Sequence, residues 1–209
     1  MLVDLTVKEF LDKVAGSDPV PGGGSIAALN GAVASALTAM VANLTIGKKN
    51  YEMHEELMNH ILSLAMKEKD TFTDYIDRDS EAYDAVFACF KMPKGTDEEK
   101  ALRSAAIQEA TKHAALIPMQ VACNAYELMS VITDVVRLGN RNAVTDACVA
   151  LMSARTAVLG ALLNVRINLG SIKDKAFADD LQQKADILER QTLEREKEVL
   201  DAINQELRV

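Results

Sequence analysis

The sequence predicts an all-α fold, a single-domain bundle of about five to six helices, several of them long. Three observations carry that expectation. Apolar residues recur at helical spacing in one segment after another, helix-cap signatures punctuate those segments, and no stretch of useful length alternates as a strand would. The 209 residues are 49% hydrophobic but only 4% aromatic, so the core must be built from Ala, Leu, Val, Ile and Met, a mix that favours close-packed helices. No linker or repeat divides the chain, and residues 1–209 read as one unit.

The elements follow in order. Thr6 and Glu9 form a capping box for a first helix with Val7, Phe10, Leu11 and Val14 on one face. A loop of two prolines and three glycines follows, with Ser25 as the expected N-cap of a helix over about 26–46. Leu57, Ile61, Leu64, Phe72 and Ile76 continue the helical pattern, and a break or kink is expected at Asp77-Arg78-Asp79-Ser80 before Ala82, Val86 and Phe90 resume it. Thr96 and Glu99 cap a helix to about Val136, in which Pro118 predicts a kink. After a polar turn at 139–142, Val144 to Asn168 reads as another helix stopped by Gly170. The charged remainder, 173–207, places Leu181, Ala185, Val199 and Ile203 inward on a surface helix. The two nearly uncharged helices, 26–46 and 144–168, are expected at the centre, and so much apolar surface in a small protein predicts a homodimer.

Charge and composition exclude several functions. A net charge of −8 repels a phosphate backbone, so nucleic acid is not an expected partner. Val20 to Gly47 is uncharged and long enough to cross a bilayer, but its Ala-rich polar interruptions and missing aromatic belts argue against a membrane span. No signal peptide is recognisable, and Cys89, Cys123 and Cys148 read as free buried thiols of a cytoplasmic protein. His54, His60 and His113 lack metal-ligand spacing, so no metal site is expected.

Several groups have chemical potential beside an ordinary reading. Gly22-Gly23-Gly24-Ser25 opens a helix and offers unpaired N–H groups to an anion or a developing negative charge, or is simply a tight turn. Lys48 and Lys49 close the uncharged helix, where they meet a ligand or stabilise the negative helix end. Asp77, Asp79, Glu81 and Asp84 cluster beside Tyr83 in a pattern typical of a solvated face. Asp146 stands in an apolar helix, so it is expected to pair with Arg155 or to serve as a perturbed acid or base. Asn164 and Asn168 share a helix face, and Asn140 and Asn142 lie in the turn before that helix.

Asp18-Pro19-Val20-Pro21-Gly22-Gly23-Gly24-Ser25, followed by Met40-Val41-Ala42-Asn43-Leu44-Thr45 and Gly47-Lys48-Lys49, resembles the formiminotetrahydrofolate cyclodeaminase and methenyltetrahydrofolate cyclohydrolase family. The likeness continues through Asp79-Ser80 with Tyr83, Pro93 to Thr96, Gly139 to Asn142 with Thr145-Asp146, and Asn164 to Asn168. It implies an all-helical homodimer with a folate site near the subunit interface, a tetrahydrofolate derivative as substrate, and no metal or bound cofactor. Animal relatives fuse such a domain to a formiminotransferase, for which 209 residues leave no room, so a stand-alone bacterial form is expected.

The implied activity is cyclodeamination of 5-formiminotetrahydrofolate to 5,10-methenyltetrahydrofolate and ammonia, as in histidine degradation. Its two proton transfers suit one or two carboxylates, with Asp79 and Asp146 as the candidates. Pro21, the three glycines and Ser25 are expected against the substrate, Lys48 and Lys49 at its glutamate tail, and Tyr83, Asn140, Asn142, Asn164 and Asn168 around the pterin and reacting carbon. The alternatives are methenyltetrahydrofolate cyclohydrolase, which makes 10-formyltetrahydrofolate, and a non-catalytic folate-binding helical dimer.

Overall fold

A computed structural model describes residues 1–207, and among them no strand occurs. Six helices follow one another: α1 (Val7–Val14), α2 (Gly23–Thr45), α3 (Glu55–Phe90), α4 (Asp97–Leu138), α5 (Val144–Leu169) and α6 (Lys175–Leu207). Both capping boxes form. Thr6 and Thr96 each accept a hydrogen bond from the backbone N–H three residues on, while Glu9 and Glu99 accept from the backbone N–H of the capping threonine.

Helices α2 to α6 run antiparallel in succession, and α2 also lies antiparallel against α5. Gly31 of α2 faces Phe72 of α3, where an added Cβ would stand 2.5 Å from the ring. Further along, Gly23 and Ala27 face Asn164 and Gly160 of α5. The small residues of α2 therefore let two helices approach its axis, and Val41, Phe72, Leu128, Met129, Leu151 and Leu162 fill the space between the layers. The charged helix α6 buries Leu181, Ala185, Val199 and Ile203. It is tied down by Arg166 to Asp186 and Glu189, and by Arg155 to Glu196 at 3.2 Å.

The structure corrects several expectations. Helix α3 continues through 77–80 without a break, because Asp77 and Ser80 turn inward to partners instead of outward to water. Helix α4 runs through Pro118 as expected, with the proline buried inside it. A proline has no N–H for the carbonyl four residues back, here that of Ala114. The Asn168 side chain supplies the missing donor, its Nδ2 lying 3.2 Å from that oxygen. Ser25 is not the N-cap of α2; Gly22 is, which moves Ser25 into the first turn with its side chain buried.

The uncharged helices α2 and α5 supply much of the core, yet neither is enclosed by the chain. Val33, Met40 and Leu44 on α2 are exposed, as are Val149, Met152, Leu163 and Ile167 on the adjoining α5. By length and composition α2, α4 and the stretch 141–169 suffice to cross a membrane, but half or more of each apolar window is buried against neighbouring helices. The apolar character of these segments thus serves helix packing, with one stripe left over.

Candidate active site

The most constrained arrangement is at the N-terminal end of α2. Pro21, which follows a cis peptide bond, is buried, and Gly22 begins the helix. Gly24 then lies directly against the carboxylate of Asp79, where a Cβ would stand 2.1 Å from Oδ1 and 2.5 Å from Oδ2. Only glycine admits that approach. Ser25 is fully buried, and its hydroxyl lies 3.0 Å from the Ile76 carbonyl, 3.1 Å from Asp79 Oδ2 and 3.2 Å from Ser80 Oγ. One hydroxyl proton serves one acceptor at a time, so Ser25 can follow the charge on Asp79. Burial pushes the Asp79 carboxyl above the usual aspartate range, and the Ser25 hydroxyl and backbone amide draw it part of the way back.

Asn164 joins this group from α5. Its Nδ2 donates to the Gly160 carbonyl at 2.9 Å and lies 3.3 Å from the Cβ position of Gly23. Asn168, one turn on, commits Nδ2 to the Asn164 and Ala114 carbonyls. Its placement near the site is accordingly also a structural one.

On the adjoining face of α3, lined by Asp77 and Ser80 and not by Asp79 itself, opens a cavity of about 620 Å³, within the range of small-molecule sites. The N-terminal turn, Lys13 and the loop 18–20 form one side, and Asp77, Ser80, Tyr83 and Phe87 of α3 form the other. Tyr83 and Phe87 lie nearly parallel, with ring planes 12° apart. The expected solvated acidic face holds for Glu81 and Asp84, which are exposed, but not for Asp77, which is 8% exposed. Asp77, Ser80 and Phe87 were not among the expected site residues. The signal for them is the i, i+3, i+10 spacing that puts all three on one helix face.

The remaining expected residues gather at the opposite end of α2, roughly 33 Å away along a helix rising 1.5 Å per residue. Lys48 and Lys49 are exposed in a turn that uses left-handed backbone at Gly47 and Asn50. Asn140 donates its backbone N–H to Thr45 Oγ1 and its Nδ2 to the Leu44 carbonyl, both at 2.8 Å, and its Oδ1 accepts the Asn142 N–H. It joins the end of α2 to the start of α5. Asp146 occupies the first turn of α5, half-buried, with no ion pair among the described residues. The expected pair with Arg155 does not form, since Arg155 reaches Glu196 on α6. A carboxylate in a first helical turn is already stabilised by the helix dipole and needs no such cation. Within one chain Asp79 and Asp146 therefore do not meet.

The chain has recognisable relatives among known proteins. Residues 6–187 match the family described as formiminotransferase-cyclodeaminase. The chain belongs to that family. A methenyltetrahydrofolate cyclohydrolase of Methylorubrum extorquens is 43% identical over 175 residues, covering 84% of each chain. The formimidoyltransferase-cyclodeaminase of Rattus norvegicus is 30% identical over 183 residues, and the match spans 34% of that longer protein. A solved structure of formiminotetrahydrofolate cyclodeaminase from Thermotoga maritima superposes with a TM-score of 0.85 at 31% identity, covering 97% of this chain and 99% of that one. Members of the formiminotransferase-cyclodeaminase family are folate one-carbon enzymes, and this chain is an enzyme of that class.

Proposed function

We propose that the chain is a methenyltetrahydrofolate cyclohydrolase in which Asp79 moves the proton. The observation that carries this is the desolvated Asp79 carboxylate at the N-terminal end of α2, held against Gly24 and Ser25 and joined through the Ser25 hydroxyl to Ser80 of the cavity wall. Hydrolysis needs one such group. Water adds to the cationic carbon between N5 and N10 as Asp79 takes its proton. The adduct then collapses to a carbonyl on N10, the bond to N5 breaks, N5 takes up a proton, and the hydroxyl proton leaves to solvent. Burial favours this use, because a carboxylate shifted towards neutrality is a stronger base when ionised. The likeness to the Methylorubrum cyclohydrolase over most of both chains supports the same reading.

Cyclodeamination is the second reading, favoured by the superposition on the Thermotoga enzyme over nearly its whole length. It requires a proton acceptor at N10 and a proton donor to departing ammonia, hence a second group beside Asp79. A second copy of the chain is the proposed source. The exposed apolar stripe on α2 and α5 fits a two-fold partner of the same kind. If the two-fold axis crosses α2 near its middle, the partner's C-terminal end of α2 falls beside this chain's Asp79. Lys48, Lys49 and Asp146 then complete the site, with the lysines at the glutamate tail. The proposal places this dimer in the cytoplasm, away from membranes and nucleic acid, with folate as substrate and no separate bound cofactor.

The test supplies purified protein with 5,10-methenyltetrahydrofolate and, separately, with 5-formiminotetrahydrofolate, following near-ultraviolet absorbance and ammonia. Methenyl consumption without ammonia release supports the cyclohydrolase. Ammonia release from the formimino substrate supports the cyclodeaminase, and binding with neither reaction leaves a folate-binding protein.

A further inference from the structure

We infer that Asp77 is the residue that reads the pyrimidine edge of the pteridine, an assignment that rests on the folate reading above. Asp77 is 8% exposed, and its Oδ1 accepts the backbone N–H of Leu2 at 2.6 Å. Its other oxygen, Oδ2, is buried and has no hydrogen-bond partner among the described residues. A buried carboxylate oxygen without a donor is costly and rare, and calls for a partner that is not part of the chain.

The surroundings identify the chemistry of that partner. Asp77 lines the 620 Å³ cavity, and the near-parallel rings of Tyr83 and Phe87 supply a flat apolar wall along the same helix face. Ser80 lines the cavity too, and its hydroxyl lies 3.2 Å from that of Ser25, which links the cavity to Asp79. The 2-amino-4-oxopyrimidine edge of a pteridine carries two neighbouring N–H donors, N3–H and the 2-amino group. An ionised carboxylate presents two acceptors at matching spacing, a bidentate and charge-assisted pairing. With this edge on Asp77, the bicycle extends past Ser80 and brings its N5 side towards Asp79.

The N-terminal turn Leu2–Asp4 stands in for the ligand. Leu2 N–H occupies one acceptor, and Oδ2 is closed off from solvent, so binding lifts the turn and exchanges its single donor for two. Asp77 is thus a binding group and Asp79 a proton-transfer group, two residues apart on different faces of α3.

Calorimetry tests this with 5-formyltetrahydrofolate and its 2-desamino analogue on the full-length protein and on Asp77→Asn. The wild type should prefer the amino-bearing ligand by at least ten-fold, and Asp77→Asn should lose that preference while binding the analogue as the wild type does. An Asp77→Asn protein that keeps the full preference overturns the assignment and leaves the folate reading standing. A wild type that binds both ligands equally does the same, and decides the question even if the variant does not fold. A wild type that binds neither overturns the folate reading together with this assignment.

Discussion

Gly24→Ala isolates the closest approach in the site. The new Cβ would stand 2.1 Å from Asp79 Oδ1, so the carboxylate must retreat by about 1.3 Å to reach the 3.4 Å of ordinary van der Waals contact. Retreat breaks the 3.1 Å hydrogen bond from Ser25, worth about 1.5–3 kcal/mol for an ionised acceptor. It also pushes the side chain off its rotamer, at about 0.5–1.5 kcal/mol. A total of about 2–4.5 kcal/mol should lower Tm by roughly 4–18 °C in a chain of this size. Displacing the proton-transfer group by about 1 Å should reduce kcat/KM about 100-fold. Thermal unfolding and methenyl hydrolysis on the same preparation measure both. The control is Asp79→Ala, in which the space opposite residue 24 is vacant and Gly24→Ala should change Tm by less than about 2 °C. Equal destabilisation in the two backgrounds would refute the contact as the cause.

Other consequences are as direct. Asp79→Asn should reduce turnover by about 100-fold or more. Because burial raises the folded-state pKa of Asp79, its protonated form stabilises the fold at acid pH. That contribution fades as pH rises from the ordinary aspartate value through the raised one. Asp79→Asn should therefore gain Tm relative to wild type at pH 7 but not at pH 3.5, and a gain independent of pH would contradict the burial argument. Asn168→Ala should cost about 1–2 kcal/mol by orphaning the Ala114 carbonyl beneath Pro118. Adding Pro118→Ala, which restores a backbone donor, should recover part of that loss in urea unfolding, whereas strict additivity would rule out the link. The proposed dimer predicts that the wild type sediments as a dimer and that Val33→Glu, which puts a charge into the exposed stripe on α2, sediments as a monomer, with loss of activity if the site needs both copies. An active wild-type monomer would dismiss that assembly.

The helices were legible because their causes are local. The Thr6–Glu9 and Thr96–Glu99 boxes are satisfied within one turn, and apolar periodicity needs no partner to be read. The continuity of α3 through Asp77–Ser80 and the way α4 accommodates Pro118 were not legible, for the same reason. The groups that keep those helices continuous lie far along the chain: Asn168 for the first, and Leu2 and Ser25 for the second. Of the expected site, Gly23, Gly24, Ser25, Asp79, Tyr83 and Asn164 come together, whereas Lys48, Lys49, Asn140, Asn142 and Asp146 stand at the far end of α2.

By itself, then, the sequence determined the helical class, the capped boundaries and a set of chemically capable side chains, since propensity, capping and motif spacing act over a few residues. Only the tertiary structure decided which of those side chains meet. It buried Asp77, set Asp79 half-buried against Gly24 and left Glu81 and Asp84 in water, a choice made by the elements that pack across α3. Burial, and with it the affinity of a carboxyl group for its proton, depends on residues dozens of positions away, and no local pattern records their approach.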